Sequence, residues 1–501
     1  MDAVTEQLDI LGDPEPVRHP GQGGRLQVVA TAVAATLVLA TGVAYAGYSA
    51  LTPSGHAPEE ALPADTVAFA KVDLDPSASQ KLAVYRLSRR LPKTHVHSQS
   101  SVRDDLLAQV FKAAGETVDF QRDIKPWIGD RAAIGAIPGT DGPHPMIAVQ
   151  FHDKAKARKG VEHLISLDTS NQLFYAFSDV SDYVLLSDQQ SSADAAAHAT
   201  RHLADDPSYR KAMSALHGDQ IVSAWADLGK AFGLLSQDQL QDNPLFTVKD
   251  LKVAGQYVMG AHAEDDAIEL DVHELGVSTG VASIDSLQLG QGTGSDLVQS
   301  FPKDALVAAS ISGLGDQAAK IYDQVKPVIT DAGGQDFLTA VARAGLHLPA
   351  DLETVMGDEV AGYLTGTSDD PYVLLHVKTA HAAAAKQVLQ RLVDFIGQQT
   401  HDPAPAGFLD KVYGPAADGY LLGIPQLDGA GGGGLGSSSV FRKAVPDAHG
   451  APVVVFVNLH QLISAFDLAD GSGAVGKLDA FGLTEHLDGD DLAMRARLTF
   501  R

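Results

Sequence analysis

The chain has 501 residues, 63 acidic against 37 basic, and a net charge of −26. An acidic field of this size repels phosphate backbones and excludes nucleic acid as a partner. Cysteine is absent, which rules out disulfides, thiol catalysis and every cysteine-containing metal site, and the length leaves room for two or three domains held by packing alone.

Residues 1–25 carry acids and then a run of proline and glycine, and are expected to be a disordered tail. Residues 26–51 hold no Asp, Glu, Lys or Arg. Roughly 20 such residues cross a hydrocarbon core about 30 Å thick, so this stretch is expected to be a single transmembrane helix. Arg18 and Arg25 precede it and no basic residue follows until Lys71, which places the tail in the cytoplasm and the rest of the chain outside, at the cell membrane. The competing expectation is a secretory signal cleaved after Ala46, since Ala44-Tyr45-Ala46 has the small-x-small form. The apolar run is too long, and the segment before it too acidic, for an ordinary signal.

A linker, 52–61, leads into a body of alternating short strands and helices. A strand is expected at 66–74, an amphipathic helix at 77–91 opened by Pro76 with Asp75 as its cap, and further helices at 102–114 and 120–128. Paired strands follow at 132–137 and 146–151, a helix at 154–167, a second hairpin at 173–177 and 183–186, and helices at 191–203 and 208–216. A strand at 221–226 and a closing pair at 252–263 and 267–274 complete the unit. This order indicates an α+β fold of mainly antiparallel sheet covered by helices.

The pattern then recurs. Leu62-Pro63-Ala64-Asp65 returns as Phe301-Pro302-Lys303-Asp304, Ile128-Gly129-Asp130 as Met356-Gly357-Asp358, and Tyr209-Arg210-Lys211-Ala212 as Phe441-Arg442-Lys443-Ala444; Asp265-Asp266 at the closing turn returns as Asp490-Asp491. Collinear matches of this kind point to a tandem duplication, 62–275 and 301–501, joined by a Gly/Ser/Thr-rich linker at 276–300. Each copy is expected to be a domain with its own core, with a cleft between them as the natural place for a ligand.

Pro63-Ala64-Asp65-Thr66, Val72 to Ser77, Gln80-Lys81 and Pro126-Trp127-Ile128-Gly129-Asp130-Arg131 resemble the signature stretches of an actinobacterial, membrane-anchored family catalogued as domain of unknown function 3352. The resemblance implies one membrane span followed by a large outer region. It brings no established activity or binding residue, and the second copy lacks the Asp-Leu-Asp-Pro-Ser run and the tryptophan.

No motif names a reaction. Gly471 to Lys477 has the spacing of a phosphate-cradling loop, but Leu478 stands where the metal-binding hydroxyl belongs, a helix precedes it and a strand-like segment follows. Asp73 and Asp75 lack the other ligands of a cation site, and His95 and His97 lack a third. Gly129 and Gly357 are expected to be helix C-caps with positive φ, Trp127 a core anchor, and the glycines at 429–434 a surface loop. The one cluster opposing the overall acidity is Lys81, Arg86, Arg89 and Arg90 on the first helix, the only binding candidates the residues offer. No cofactor and no metal are expected. These readings favour a non-enzymatic binding or scaffold module of the cell envelope, for a protein partner, a lipid or another apolar ligand. The alternative is an envelope hydrolase with a site assembled from dispersed residues.

Overall fold

The computed structural model describes residues 55–73, 77–90, 120–139, 142–167, 173–234, 252–279, 294, 296–331, 334–401, 404–424, 433–468, 475–489 and 491–501. The expected membrane span, the helix at 102–114, Asp75, His95, His97 and most of the glycine loops at 429–434 and 471–477 lie outside them. No helix of the described residues is long and apolar enough to cross a membrane.

Among the described residues the first half supplies eight strands: β1 Ala68–Asp73, β2 Ile128–Gly139, β3 Gly142–Phe151, β4 Phe174–Phe177, β5 Tyr183–Ser187, β6 Val222–Asp227, β7 Ala254–Ala263 and β8 Ala267–Ser278. The second supplies β9 Val307–Ser312, β10 Glu359–Gly366, β11 Pro371–Lys378, β12 Tyr413–Ala416, β13 Gly419–Ile424, β14 Val453–Val457, β15 Leu478–Asp488 and β16 Asp491–Phe500. All sixteen form one antiparallel sheet in the order β12-β13-β11-β10-β9-β14-β15-β16-β8-β7-β6-β1-β2-β3-β5-β4. Read outward from the β16·β8 contact, the two sets of eight have the same order. The halves are thus joined edge to edge into a continuous sheet.

Helices cover both faces. On one face of the first half, α1 Ala78–Ser88 and α2 Lys154–Leu167 pack over Val222, Ala261 and Val149; on the other, α3 Gln190–Ala197 and α4 Pro207–Met213 close a core built on Trp225, Tyr183 and Leu62. Short polar caps set several of these helices. Asp153 accepts from Ala155 N and Lys156 N at 2.9 and 3.0 Å, and Asp206 from Ser208 N at 2.7 Å with Pro207 in the first turn. Trp225 is 1% exposed and meets Tyr209 edge to face at 5.3 Å, and Phe69, its cross-strand partner on β1, meets Tyr209 at 5.7 Å. A short helix, α5 Leu228–Gly233, follows β6 in the first half, and the second half adds α6 Leu297–Ser300, α7 Leu314–Asp331, α8 Gln335–Arg343, α9 Ala350–Met356, α10 Ala382–Thr400, α11 Phe408–Val412, α12 Ser439–Ala444 and α13 Leu459–Ala465. Phe456 takes the place of Trp225 in its core, against Phe441 at 5.2 Å.

Three local expectations change. The first helix, expected at 77–91, is capped by Ser77, whose Oγ accepts from Gln80 N at 3.5 Å, and runs from Ala78 to Ser88. Residues 120–128 form only a π-turn, Phe120–Ile124, before β2 begins at Ile128. Gly129 therefore lies inside a strand and has no positive φ. It is needed there because a Cβ would sit 2.7 Å from Gln150 Cγ, and Gln150 is held by Asp130 N and Asp182. Gly357 does cap α9, at φ 57°, and its Cβ would meet the Lys378 carbonyl oxygen at 2.4 Å. Gly357→Ala is expected to cost about 1–3 kcal/mol, combining backbone strain with a clash against rigid backbone. A denaturation midpoint equal to that of the unmodified chain would count against this. Trp127 is a core anchor: it is buried, and its Nε1 donates to the Asp123 carbonyl at 2.7 Å. The segment at 471–477 has α13 before it and β15 directly after it, the reverse of what a phosphate loop needs.

Candidate functional site

The site is built on the two closing hairpins. Ala263 pairs with Ile268 beside the first turn as Leu487 pairs with Leu492 beside the second, so the hairpins can be aligned from their turns. On that alignment Asp271 and Arg495 hold equivalent places, and in the β8·β16 register they face each other. The pair thus lies on the local two-fold that relates the hairpins. His262 and His486 are likewise equivalent. So are His217 and His449, each following the repeated Arg-Lys-Ala helix and each succeeded by a positive-φ glycine, Gly218 at 70° and Gly450 at 68°.

Alternation along the strands sends Glu269, Asp271, His273, Ala493, Arg495 and Arg497 to one face, and Ile268, Leu270, Val272, Leu498 and Phe500 to the other. The apolar face is covered by α1, in a cluster that joins Ala83, Val84 and Leu87 to Phe500 across the join. The polar face holds a charge network. Arg495 Nε lies 3.0 Å from Asp271 Oδ1 and 3.2 Å from Glu269 Oε1, and its Nη1 donates to Asp447. Arg497 donates to Glu269 at 2.8 Å and to Glu264. Burial lifts Glu269 above the usual carboxylate range in spite of both arginines. Burial also works against the charge on Arg495, but its bonds to Asp271 and the neighbouring carboxylates raise it above its ordinary value.

Beside this network a cleft of ≈ 480 Å³ opens between loops of the two halves. Its walls carry His217, His273, His449, His486, Asp447 and Arg495, with Thr484, Ala493 and Asp271 among the floor residues. His217 lies tilted over His273 with centroids 6.3 Å apart, and Arg495 Nη2 stands 3.4 Å from His217 Nδ1. His449 Nδ1 is 3.0 Å from each oxygen of Asp296. Burial holds His273 below the ordinary histidine pKa, with Asp271 pulling the other way. His486 Nε2 and Asp271 Oδ2 are buried and have no hydrogen-bond partner. His262, Glu264 and Glu269 also bring three ligand atoms within 4.8 Å of one another. There the Arg497 guanidinium already bonds both carboxylates, so the space between them holds a positive charge.

The four basic residues expected on the first helix do not form one exposed face: Lys81 and Arg86 lie on α1, Arg89 is its C-cap and Arg90 follows it. Lys81 is 3% exposed, while Arg86, 2.5 Å from Asp265, Arg89 and Arg90 reach the surface; Arg90 Nη1 donates to the Phe500 carbonyl at 3.4 Å. None of them lines the cleft. The cleft histidines, absent from the sequence candidates, left one legible signal: His-Gly recurs after Arg-Lys-Ala at matching places in the two halves.

A family model described as protein of unknown function (DUF3352) matches residues 28–405. No curated protein and no solved structure matches the chain.

Proposed function

We propose a function from the premise that the chain belongs to the family of proteins of unknown function DUF3352: it is a non-enzymatic binding protein, anchored in the cell membrane, whose ligand sits in the cleft over the join. The observation that carries this reading is the cleft itself, placed between two halves of equal strand order and lined by groups that recur in both. Concave sites at such junctions are where ligands bind. Most of the lining is histidine, carboxylate and arginine, with Pro446, Thr484, Ala493 and Met494 beside them, which favours a polar ligand over the apolar one expected from the sequence. The same strand order supports reading the halves as copies of one ancestral unit.

Native mass spectrometry of the full chain in mild detergent tests the cleft. An adduct is expected on the unmodified chain and should vanish in Ala493→Trp, which fills the floor, and weaken in the milder Ala493→Leu. Identical adducts on all three, or none on any, would overturn the reading.

Anchoring is supported by the uncharged run at 26–51, the Arg18 and Arg25 flank and the lack of basic residues up to Lys71. In a cysteine-free chain, Ser54→Cys supplies the only thiol. It is expected to react with a membrane-impermeant maleimide in intact cells, and Thr5→Cys only after lysis. The opposite labelling would reverse the orientation, and a body released with Gly47 at its N-terminus would establish the cleaved signal instead.

A further inference from the structure

Resting on the reading of residues 26–51 as a membrane anchor, we infer that the start of α2 is a docking surface for anionic phospholipid headgroups of the membrane that holds the chain, through Lys154, Lys156, Arg158 and Lys159. Their place is the first reason. Gly55 lies four residues beyond Leu51, where the uncharged run ends, and four residues reach at most about 14 Å. The body clamps the segment that begins there. Arg131 Nη1 donates to the Gly55 and His56 carbonyls at 3.2 and 3.3 Å, Tyr183 Oη to the His56 carbonyl at 3.0 Å, and His56 N to Asp182 at 3.2 Å. Gly55 packs so closely on Gln150 and Asp182 that a Cβ there would stand 2.3 Å from each. Since α2 begins four residues after Gln150, its first turns flank the point where the chain would leave the bilayer.

Charge is the second reason. All four side chains are exposed, and among the described residues none is ion-paired to a carboxylate. Lys154 and Arg158 lie over the Phe177 ring, 5.4 and 5.1 Å from its centre, a contact that positions both cations without neutralising them. The neighbouring acids are engaged elsewhere: Asp153 caps α2 by accepting from Ala155 N and Lys156 N, Glu162 accepts from Tyr175 Oη at 3.2 Å, and Asp182 is held by His56 and Gln150. A basic cluster beside a membrane span is drawn to anionic headgroups over about a Debye length.

The second half shows that the fold does not require these charges. There α10 lies between β11 and β12 as α2 lies between β3 and β4, and its buried Ala385 and Leu389 match the buried Ala157 and Val161. On that alignment Ala382, Ala384 and Gln387 stand where α2 has Lys154, Lys156 and Lys159. Lys386, in the place of Arg158, is paired to Asp410 at 2.9 Å. The basic set belongs to the half next to the anchor.

Fluorescence quenching in lipid nanodiscs tests this. The full chain carries a bimane at Ala155→Cys on α2 or at the equivalent Ala383→Cys on α10, and headgroup-spin-labelled lipid is the quencher. With phosphatidylglycerol added to phosphatidylcholine, quenching at 155 is expected to rise at least about twofold and to fall again in high salt, while the probe at 383 responds to neither. Combining Lys154→Gln, Lys156→Gln, Arg158→Gln and Lys159→Gln should abolish the rise and leave the thermal melt unchanged, because all four are exposed and glutamine is a good helix former. Quenching at 155 that ignores phosphatidylglycerol, or that survives the four substitutions, overturns the inference. Protection of that probe by soluble polyphosphate, with no effect of lipid charge, overturns it too and assigns the surface to a soluble polyanion. A chain that enters the discs but shows no lipid effect removes this inference and leaves the anchor standing; a chain that never enters them removes the anchor, and the inference falls with it.

Discussion

Arg495→Ala is expected to destabilise the full chain by about 3–5 kcal/mol in urea unfolding at neutral pH. Asp271 is 1% exposed and Glu269 4%, and Arg495 lies within 3.0 and 3.2 Å of them. Truncating the arginine leaves two buried carboxylates beside each other with Arg497 on Glu269, and otherwise only the more distant imidazoles of His262 and His217, at 3.8 and 4.0 Å. Asp271→Ala should cost less, because Arg495 keeps Glu269 and Asp447. The double variant should be milder than the two singles added together, as expected for groups in one network. The pH dependence has a definite sign. Removing the cation raises the folded-state pKa of Glu269, already lifted by burial, further above its unfolded value. The folded state then gains relative stability as pH falls and Glu269 protonates, so the penalty shrinks in acid. A cost within about 0.5 kcal/mol of zero at neutral pH, the range of an ordinary surface substitution, would show that the join does not depend on this pair.

Trp225→Ala is expected to cost about 3–5 kcal/mol, the range for removing a fully buried large aromatic. It leaves Tyr209 and Phe69 without their common neighbour in the first-half core. Phe456→Ala, at the equivalent place in the second half, should cost a similar amount. The more telling result is the shape of the curve. Because β8 and β16 pair over eight residue positions and the cluster under α1 spans the join, both variants should move one shared transition. Two resolved transitions, each shifted by only one variant, would show that the halves unfold as separate units.

Much of the order of elements could be read from the residues. The period-two runs mark β2, β3, β5 and β6, and Asp153 and Pro207 mark the starts of α2 and α4. The join could not be read. Glu269, Asp271 and His273 alternate with apolar residues along β8, as do Arg495 and Arg497 along β16, and such a pattern looks like the wet face of an edge strand. Its complement lies some 220 residues away, and nothing local shows that an acidic row and a basic row meet. The place of Lys81 was hidden for the converse reason: charge on a helical stretch implies solvent, yet the Lys81 stem runs into the protein. The histidines of the cleft were invisible as a set because they come from four separate elements, with no spacing in the chain to connect them.

The position of Asp271 opposite Arg495 also limits what either half could do alone. Were two copies of the first half to join through β8 in this register, aspartate would face aspartate on the symmetry axis. Two copies of the second half joined through β16 would set arginine against arginine. Opposite charges satisfy each other only where the facing partners differ, so self-association along either edge carries its own electrostatic veto. Chain connection then keeps the one compatible pairing always at hand: an acidic edge and a basic edge held in the same molecule, each guarded against its own duplicate.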